Sequence, residues 1–560
     1  MMKMKLSRWL AAAGAALLLV PILAACGNAP SASPAAGAPT SAPVTTATDG
    51  ATIVPAPTAA VPAPTAAPSA PAPADLTKVA PRPFDQAMQT QLAAYITTVM
   101  QREQVPGAAV AIVQDGKVVY QQGFGVREKG KPDPITPETL MMIGSTGKSM
   151  TTMMMASVVD DGKMTWDTPA ISILPTFALS DPSLTPKVTM RQLVCNCTGV
   201  QRRDIEMFFP NTPRTAEGMI QGLKSFSFAG TFGKSYQYSN QMVASGGYLA
   251  ARAASAQPSN LYKDYVAQMQ RRVFEPIGMP STTFSFEKVQ ANPNHATPHG
   301  QMADLHYVPI SLQFEQPLQS VAPAGGSWSN VDDLARYLIT QLNAGVAPNG
   351  RRVVSADNLK VTWQPQVQTG PNQWYALGWA VGSYKGVRLL THNGGTSGFS
   401  SNLTFLPDAG LGIAVLTNAQ SNSVPTAAFV RVLELVYGQP MEGDARYAQR
   451  VAQAQQAARD QLAQLPPQLD LTAVAPYQGI YTNPSLGAVA LVLKGQKLVL
   501  DSGTFSTELR SVGNGTYLVW DPPLVGMQVK LDRDTAGQPI WQLISPDRDQ
   551  PDTYPFTRVH

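Results

Sequence analysis

The sequence predicts an α+β domain, in which helices flank an antiparallel sheet and form a mostly helical subdomain, followed by a small all-β domain. The first domain is predicted because strand patterns lie near both of its ends and a long stretch of helical periodicity separates them. The second is predicted because short alternating segments separated by glycine-containing turns run through residues 471–560. A chain of 560 residues is also too long for one hydrophobic core.

Residues 1–26 resemble a bacterial lipoprotein signal peptide. Three basic residues within the first eight precede an apolar run at Leu10–Leu23, which is too short for a comfortable membrane span. The run ends in small residues followed by Cys26. The resemblance implies cleavage before Cys26 and acylation of its thiol, so we expect an extracytoplasmic lipoprotein anchored to a membrane. The alternative is an ordinary secretory signal with an incidental cysteine.

Residues 27–83 consist mainly of Ala, Pro, Thr and Ser and carry almost no charge. Such a segment cannot bury enough apolar surface to offset the entropy of ordering it. We therefore expect a disordered tether, extended by its prolines, that holds the folded part away from the membrane.

Residues 84–440 contain the elements of the first domain. A hairpin is predicted because β-branched alternating segments flank Asp115-Gly116, a dipeptide typical of tight turns. The long helical stretch continues to about Phe274, and Pro-rich loops follow it. The predicted helices are Ala87–Gln104, Met150–Val159, Asp332–Gly345 and Val424–Tyr437, and the predicted strands are Gly107–Val113, Lys117–Gly123, Tyr375–Tyr384, Val387–His392, Ser400–Phe405 and Leu411–Asn418.

Residues 441–470 are expected to connect the two domains. Asp444–Leu465 is rich in Ala and Gln and polar nearly all round, which is typical of a connecting helix, and Pro466-Pro467 ends it. Residues 471–560 form a predicted barrel or sandwich with turns such as Asn514-Gly515. Because a domain normally has its own core, we expect the first domain to fold without the second.

Charge and cysteine content narrow the function classes. A net charge of +4 gives no basic face for nucleic acid, so we expect no nucleic-acid partner. Three cysteines make no disulfide framework, and Cys195 and Cys197 are too close in sequence for an unstrained bridge, so we expect them reduced and buried. His295, His299 and His306 surround a proline that breaks helical spacing, and we expect no metal there.

Ser145-Thr146-Gly147-Lys148 is a Ser-x-x-Lys motif at the start of a predicted apolar helix. This spacing places both side chains on one helix face, with the helix dipole behind the Ser145 amide. A serine hydroxyl needs a proton acceptor, and Lys148 can act as one only if its pKa is lowered by burial or a nearby cation. The motif alone is weak, because Ser285 begins a second copy before a loop. A capping serine beside a surface lysine is the alternative.

Two further motifs carry groups suited to the same chemistry. Tyr238-Ser239-Asn240 supplies a phenol that can share the base role and an amide that can hold Lys148 or a substrate carbonyl. Tyr481 begins a second Tyr-x-Asn in the β domain. The run from His392 to Gly395 ends a predicted strand, where a glycine lets a backbone N–H complete an oxyanion hole with the Ser145 amide. The alternative is a histidine that is simply packed or solvated.

The order Ser-x-x-Lys, Tyr-x-Asn, His-x-Gly resembles the penicillin-recognising serine hydrolases, in the branch that contains class C β-lactamases, D-alanyl-D-alanine carboxypeptidases and esterases. The resemblance covers about Phe84–Tyr437 and implies a β-lactamase/transpeptidase-like fold, with an acyl-enzyme on Ser145, proton transfer by Lys148 and Tyr238, and no cofactor. It implies that the substrate-binding and oxyanion residues are Asn240, His392, Asn393, Gly394 and Gly395. The β domain resembles lipocalin-like modules appended to some relatives.

Two positions depart from the family pattern. His392 stands where β-lactamases usually carry Lys, and Asn393 stands where carboxypeptidases usually carry Thr. We therefore expect hydrolysis of D-alanyl peptides or esters ahead of β-lactam-like amides, with a small-molecule or peptide substrate. The alternative is a slow-acylating or non-catalytic sensor of the same fold, whose C-terminal domain contacts the cell wall or a protein partner.

Overall fold

The computed structural model describes residues 75–211, 215–466, 468–546 and 553–559. It contains an α+β domain followed by an all-β domain, which confirms the predicted fold class. The helices are α1 Gln86–Glu103, α2 Gly147–Asp160, α3 Ala170–Ile173, α4 Met190–Val194, α5 Ala216–Gly222, α6 Asn240–Ala254, α7 Leu261–Met269, α8 Glu275–Ile277, α9 Phe286–Ala291, α10 Ala322–Gly325, α11 Val331–Leu342, α12 Ala356–Val361, α13 Val424–Val436, α14 Glu442–Ala463 and α15 Leu471–Val474.

The first domain is built on an eight-stranded antiparallel sheet in the order β2-β1-β12-β11-β10-β9-β8-β7. Its predicted hairpin is present, and β1 also pairs with β12, so the sheet joins the two ends of the domain. Two short two-stranded sheets, β3 with β6 and β4 with β5, lie outside it. The strands are β1 Gly107–Gln114, β2 Lys117–Gly125, β3 Met141–Met142, β4 His299–Gln301, β5 Tyr307–Pro309, β6 Trp328–Ser329, β7 Val367–Gly370, β8 Gln373–Tyr375, β9 Ala380–Tyr384, β10 Val387–Gly395, β11 Ser400–Leu406 and β12 Leu411–Thr417.

Helices cover both faces of this sheet. Strand β1 is buried along its whole length, and its alternate side chains belong to two different cores. Ala109 and Ala111 face the larger core, which includes α2, α6 and α11, whereas Val110 and Ile112 face the core formed with α1 and α13. The larger core is rich in methionine from α2 and holds the helix that begins at the candidate nucleophile.

Two predicted boundaries are corrected. Residues 75–83, predicted as the end of the disordered tether, pack on the domain: the Leu76 amide donates to the Lys385 carbonyl at 2.8 Å, and Leu76 is buried. The rest of the predicted tether up to residue 74 lies outside the described residues. The strand predicted over Tyr375–Tyr384 is split into β8 and β9, because Gly378 adopts a left-handed φ of 76° and turns the chain between them.

The second domain is a closed barrel of eight antiparallel strands. Its interior is filled by buried side chains, among them Tyr481, Trp541 and Phe556. The barrel strands are β13 Gly479–Asn483, β14 Gly487–Lys494, β15 Lys497–Asp501, β16 Ser506–Gly513, β17 Thr516–Val519, β18 Gln528–Arg533, β19 Pro539–Ile544 and β20 Thr553–Arg558.

The barrel shares an apolar cluster with the first domain. Ile205 and Phe209, from a short 3₁₀ segment of the first domain, are buried together with barrel side chains. The Phe209 ring packs edge-on against Phe505 with centroids 5.4 Å apart, and the Thr504 hydroxyl donates to the Phe208 carbonyl at 2.8 Å. The two domains are therefore in direct contact at this segment.

Among the described residues, none of the helices combines the length and the apolar character needed to cross a bilayer.

Candidate active site

Ser145 lies in a 3₁₀ turn, Gly144–Thr146, that leads directly into α2. Gly144 has a left-handed φ of 54°, and a β-carbon there would lie 2.8 Å from the Gly395 amide nitrogen. This close approach requires glycine and brings the turn against the end of β10. The Thr146 hydroxyl donates to the Ile143 carbonyl at 2.8 Å and closes the turn.

Lys148 is fully buried, one helical turn after Ser145. Its Nζ lies 2.8 Å from Ser145 Oγ, 2.7 Å from Asn240 Oδ1 and 2.6 Å from the Ala324 carbonyl oxygen. Burial holds the pKa of this amine well below its ordinary value; the Arg202 cation lowers it further, and the Asp204 carboxylate opposes the shift. This shift favours the neutral amine, the form that can accept a proton.

Tyr238 reaches the same serine from the opposite side. Its hydroxyl lies 2.8 Å from Ser145 Oγ, and Lys148 Nζ lies 4.8 Å from the centre of its ring. Burial raises the pKa of the phenol, and the hydrogen bond to Ser145 partly opposes this. The Arg202 guanidinium carbon lies 5.6 Å from the ring centre. Ser145 Oγ is thus placed between an amine and a protonated phenol.

Asn240 begins α6 and links the lysine to a carboxylate. Its Oδ1 accepts from Lys148, and its Nδ2 donates to Asp204 Oδ2 at 2.7 Å. Gln241 Nε2 donates to the other carboxylate oxygen of Asp204 at 3.2 Å. Asp204 therefore orients the side chain that holds Lys148.

The end of β10 lies beside the Ser145 amide. A β-carbon on Gly394 would lie 3.1 Å from the Ser145 amide nitrogen and 2.1 Å from the Ile143 carbonyl oxygen, so only glycine fits. A β-carbon on Gly395 would meet nothing within 4 Å, which leaves open space above that residue. Gly325 backs the same turn, since its β-carbon would lie 3.1 Å from the Ser145 amide nitrogen. These glycines allow three backbones to converge on the nucleophile.

His392 and Asn393 are held by neighbours on the sheet. His392 Nε2 lies 3.0 Å from the Tyr375 hydroxyl, and its Nδ1 lies 2.6 Å from the Asn393 carbonyl oxygen. Burial, with a smaller contribution from Lys148, lowers the pKa of His392 to about 3, so the imidazole is neutral at physiological pH. Asn393 Oδ1 accepts from Asn402 Nδ2 at 2.7 Å on the neighbouring strand.

A cavity of about 30 Å³ borders Ser145. It is lined by the apolar residues Leu318, Val321 and Ala324, by Asn240, and by Gly144, Gly325 and Gly395. A volume of this size holds one or two groups as large as a water molecule or a methyl.

The family model described as beta-lactamase matches residues 92–436, more than half of the chain, and this range includes every residue placed around Ser145 above. The chain belongs to the beta-lactamase family. This confirms the resemblance seen in the three motifs.

Relatives in this family are distant and carry different names. An unguisins hydrolase of Aspergillus campestris is 26% identical over 370 residues, which cover 63% of this chain and 65% of that protein, less than two thirds of its length. Penicillin-binding protein 4 of Amycolatopsis lactamdurans is 26% identical over 345 residues, covering 60% of this chain and 86% of that protein. The solved structure of an octameric penicillin-binding protein homologue from Pyrococcus abyssi shares the fold, with a TM-score of 0.55 and 20% identity. The match covers 83% of this chain and 99% of that chain.

The second copies of two beta-lactamase-family motifs lie in ordinary structural positions. Ser285 caps the N-terminus of α9, and its hydroxyl accepts from the Lys288 amide at 3.1 Å. Tyr481 lies in the barrel core, where its hydroxyl donates to the Tyr477 carbonyl at 2.9 Å. Neither copy lies among the groups that surround Ser145.

The histidines considered as metal ligands have separate environments. His299 is buried, with Nδ1 2.8 Å from the Asn418 carbonyl oxygen and Nε2 accepting from the Lys129 amide at 3.0 Å. His295 Nδ1 lies 2.6 Å from the Asn292 carbonyl oxygen. Within the part of the chain that the structure describes, no group of three or more His, Cys, Asp or Glu could hold a metal ion.

The prediction that Cys195 and Cys197 are reduced is wrong, because the structure contains a disulfide between them. Asn196 adopts a left-handed φ of 53°, which brings the two cysteine Cα atoms to 5.3 Å, within the usual range for a disulfide. Asparagine is among the few non-glycine residues that tolerate this conformation, and the residue type was the signal that could have indicated the turn.

Sequence reasoning missed four groups around the site: Arg202, Asp204, the Ala324 carbonyl and Tyr375. The run Arg202-Arg203-Asp204 was not a distinguishing signal, because the chain has other runs of three charged residues, such as Arg127-Glu128-Lys129. A backbone carbonyl and a distant tyrosine have no local pattern. Cys26, the predicted lipidation site, lies outside the described residues.

Proposed function

We propose that this chain is a serine hydrolase that forms an acyl-enzyme on Ser145. The observation that carries the proposal is the position of Ser145 Oγ, 2.8 Å from both Lys148 Nζ and the Tyr238 hydroxyl, at the start of a helix. A nucleophile within hydrogen-bond reach of a neutral amine and a phenol has the geometry that covalent acyl transfer requires.

The hydrogen bonds of Lys148 support a role as proton acceptor. A neutral amine has two N–H groups, and Asn240 Oδ1 and the Ala324 carbonyl oxygen accept them. The remaining lone pair then faces the Ser145 hydroxyl and takes its proton as Oγ attacks the substrate carbonyl. Tyr238, which burial keeps protonated, transfers its proton to the leaving group and recovers one from Lys148.

The developing oxyanion is stabilised by the amides of Ser145 and Gly395. These lie on the two backbones that converge at Gly144, and the open space above Gly395 leaves room for a substrate carbonyl. Water then attacks the ester on Ser145 and releases the acid, with the same two proton-transfer groups acting in reverse.

We propose D-alanyl peptides or carboxylic esters as substrates, ahead of β-lactam-like amides. His392 is neutral, so this position offers no cation for a substrate carboxylate, which favours esters over peptides that end in a D-alanine carboxylate. Asn393 accepts a hydrogen bond from Asn402 within the sheet. The cavity walled by Leu318, Val321 and Ala324 fits a group as small as an alanyl methyl.

The test is intact-mass analysis over time after mixing the full chain with a fluorescent penicillin or a chromogenic ester. We expect ester turnover and an adduct of one acyl group, both abolished in Ser145→Ala and unchanged in Ser285→Ala. A lasting adduct without turnover would favour the alternative, a slow sensor whose barrel contacts the cell wall or a protein partner. Acylation of Ser145→Ala at the parent rate would refute the proposal.

We also propose that the chain is a membrane-anchored, extracytoplasmic lipoprotein with its lipid on Cys26. The support is the signal-like run at Leu10–Leu23 and the small residues before Cys26. The tether that follows would then carry the hydrolase domain at some distance from the bilayer.

A further inference from the structure

A single residue holds the backbone on both sides of Tyr238. The Asn196 carbonyl oxygen accepts from the Gln237 amide at 2.8 Å, and Asn196 Oδ1 accepts from the Ser239 amide at 3.0 Å. Asn196 is only 1% exposed, so water does not compete for these bonds. Asn196 thus fixes the backbone from which the Tyr238 ring projects.

Asn196 can do this because its own backbone is constrained. Its φ of 53° places it in the left-handed region, and the disulfide between Cys195 and Cys197 bridges its two neighbours. The bridge removes the extended conformations that would separate the two sulfur atoms. The adjacent Cys197 carbonyl also accepts from the Gly233 amide at 2.8 Å, which ties a second point of the Tyr238 loop to this turn.

The turn at Asn196 is also anchored on its N-terminal side, by α4. Cys195 ends α4, whose N-terminus has a capping box between Thr189 and Gln192. Asn196 is therefore held between α4 and the Tyr238 loop.

We propose that Asn196, locked by the Cys195–Cys197 disulfide, is the positioning residue for Tyr238, so that acylation of Ser145 depends on the redox state of this disulfide. This inference rests on the proposed function. Reduction by a dithiol transfers two electrons and two protons: the S–S bond breaks, two protein thiols form and the dithiol becomes a cyclic disulfide. The released chain lets Asn196 leave the left-handed conformation, and the Tyr238 hydroxyl loses its place beside Ser145 Oγ.

The experiment compares acylation rates of the full chain with a small chromogenic ester, before and after reduction by dithiothreitol, with free thiols counted by mass after alkylation. We expect reduction to slow acylation at least about tenfold, and the double variant Cys195→Ser/Cys197→Ser to be equally slow and insensitive to reductant. That variant keeps Cys26, so it controls for any effect of reductant on the third cysteine. Asn196→Gly keeps the left-handed backbone and loses only the side-chain acceptor, so we expect a smaller loss.

The variant Tyr238→Phe distinguishes a loss of Tyr238 positioning from a general loss of structure on reduction. In Tyr238→Phe, whose hydroxyl is already absent, reduction should change the remaining rate by less than about threefold. If reduction slows acylation equally in the parent and in Tyr238→Phe, the positioning role of Asn196 is overturned. It is also overturned if the reduced parent acylates within threefold of the oxidised rate. If the oxidised parent is not acylated at Ser145, the proposed function itself fails, and the two failures are thereby distinguished.

Discussion

In the proposed mechanism, Ser145 Oγ becomes a nucleophile only when its proton has an acceptor, and the amine of Lys148 lies 2.8 Å from it. At the scale of single residues, the neighbours of a serine decide its role more than the sequence motif does. Ser285 has the same Ser-x-x-Lys spacing as Ser145, yet its hydroxyl caps a helix. Lys148 is buried, and burial lowers its pKa, whereas Lys288 lies exposed on α9.

We predict that Lys148→Ala and Tyr238→Phe each slow acylation by at least about a hundredfold, the usual scale for losing a proton-transfer group. Ser285→Ala should change the rate by less than about threefold, although loss of its helix cap should cost about 1 kcal/mol of stability. Tyr481→Phe should also leave the rate within threefold, because it removes only a hydroxyl bonded to the Tyr477 carbonyl and keeps the ring that packs in the barrel core. The acylation rate with a small ester measures all four variants, and a parental rate in Lys148→Ala would contradict the assignment.

At the scale of elements, a 3₁₀ helix at Leu312–Val321 supports the turn that follows β10. Its Glu315 is fully buried and accepts from the Thr396 hydroxyl at 2.9 Å and from the Gly398 amide at 2.8 Å. These bonds fix the chain immediately after Gly395. Burial nevertheless dominates and raises the pKa of Glu315 to about 7.

We predict that Glu315 makes folding stability fall as pH rises. Its pKa in the folded state exceeds that of the unfolded chain, so its contribution is present below about pH 4.5 and lost as pH passes about 7. The change amounts to about 3 kcal/mol. Urea unfolding at pH 5 and pH 8 should show a flatter profile for Glu315→Gln than for the parent, whereas the exposed Glu287→Gln should match the parent. A parental slope in Glu315→Gln would contradict this role.

At the scale of the whole molecule, the barrel and the active site share one short segment. Asp204 orients Asn240, and one residue later Ile205 enters the apolar cluster of the barrel. Phe209 ends the same segment against Phe505. This shared packing argues against the expectation that the first domain folds without the second.

We predict that a chain ending at Gly438 acylates at least about tenfold more slowly than the full chain. Removing the barrel exposes Ile205 and Phe209, and the segment that holds Asp204 loses its support. Phe505→Ala, a change inside the barrel, should lower the rate in the same direction, whereas the exposed Lys494→Ala should not. Acylation rates and thermal unfolding of the four chains test this, and a truncated chain with the parental rate would show that the first domain is self-sufficient.

The proposed membrane attachment would also be a property of the whole molecule. We predict that Cys26→Ala moves the protein from the membrane fraction to the soluble fraction or stalls its processing, because the acyl chains would be absent. Detergent-phase partitioning of parent and variant measures this, with Cys195→Ser/Cys197→Ser as the control that keeps Cys26. A variant that partitions like the parent would contradict the anchor.

The sequence by itself determined what depends on near neighbours in the chain. The hairpin at Asp115-Gly116 follows from turn chemistry, and the placement of Ser145 and Lys148 together follows from helical spacing. Alternating or β-branched segments likewise predicted most strands of the sheet, although not β7, and the all-β character of the second domain. These features need only local geometry, so no knowledge of the folded chain was required.

The tertiary structure alone decided the contacts between distant segments. The Ala324 carbonyl reaches Lys148 across 176 positions, and Asp204 reaches Asn240 across 36, and neither leaves a periodic pattern in the sequence. The disulfide between Cys195 and Cys197 brackets the left-handed Asn196, whose partners lie in the distant Tyr238 loop. Such contacts depend on how elements pack, because packing brings together groups whose separation along the chain carries no signal.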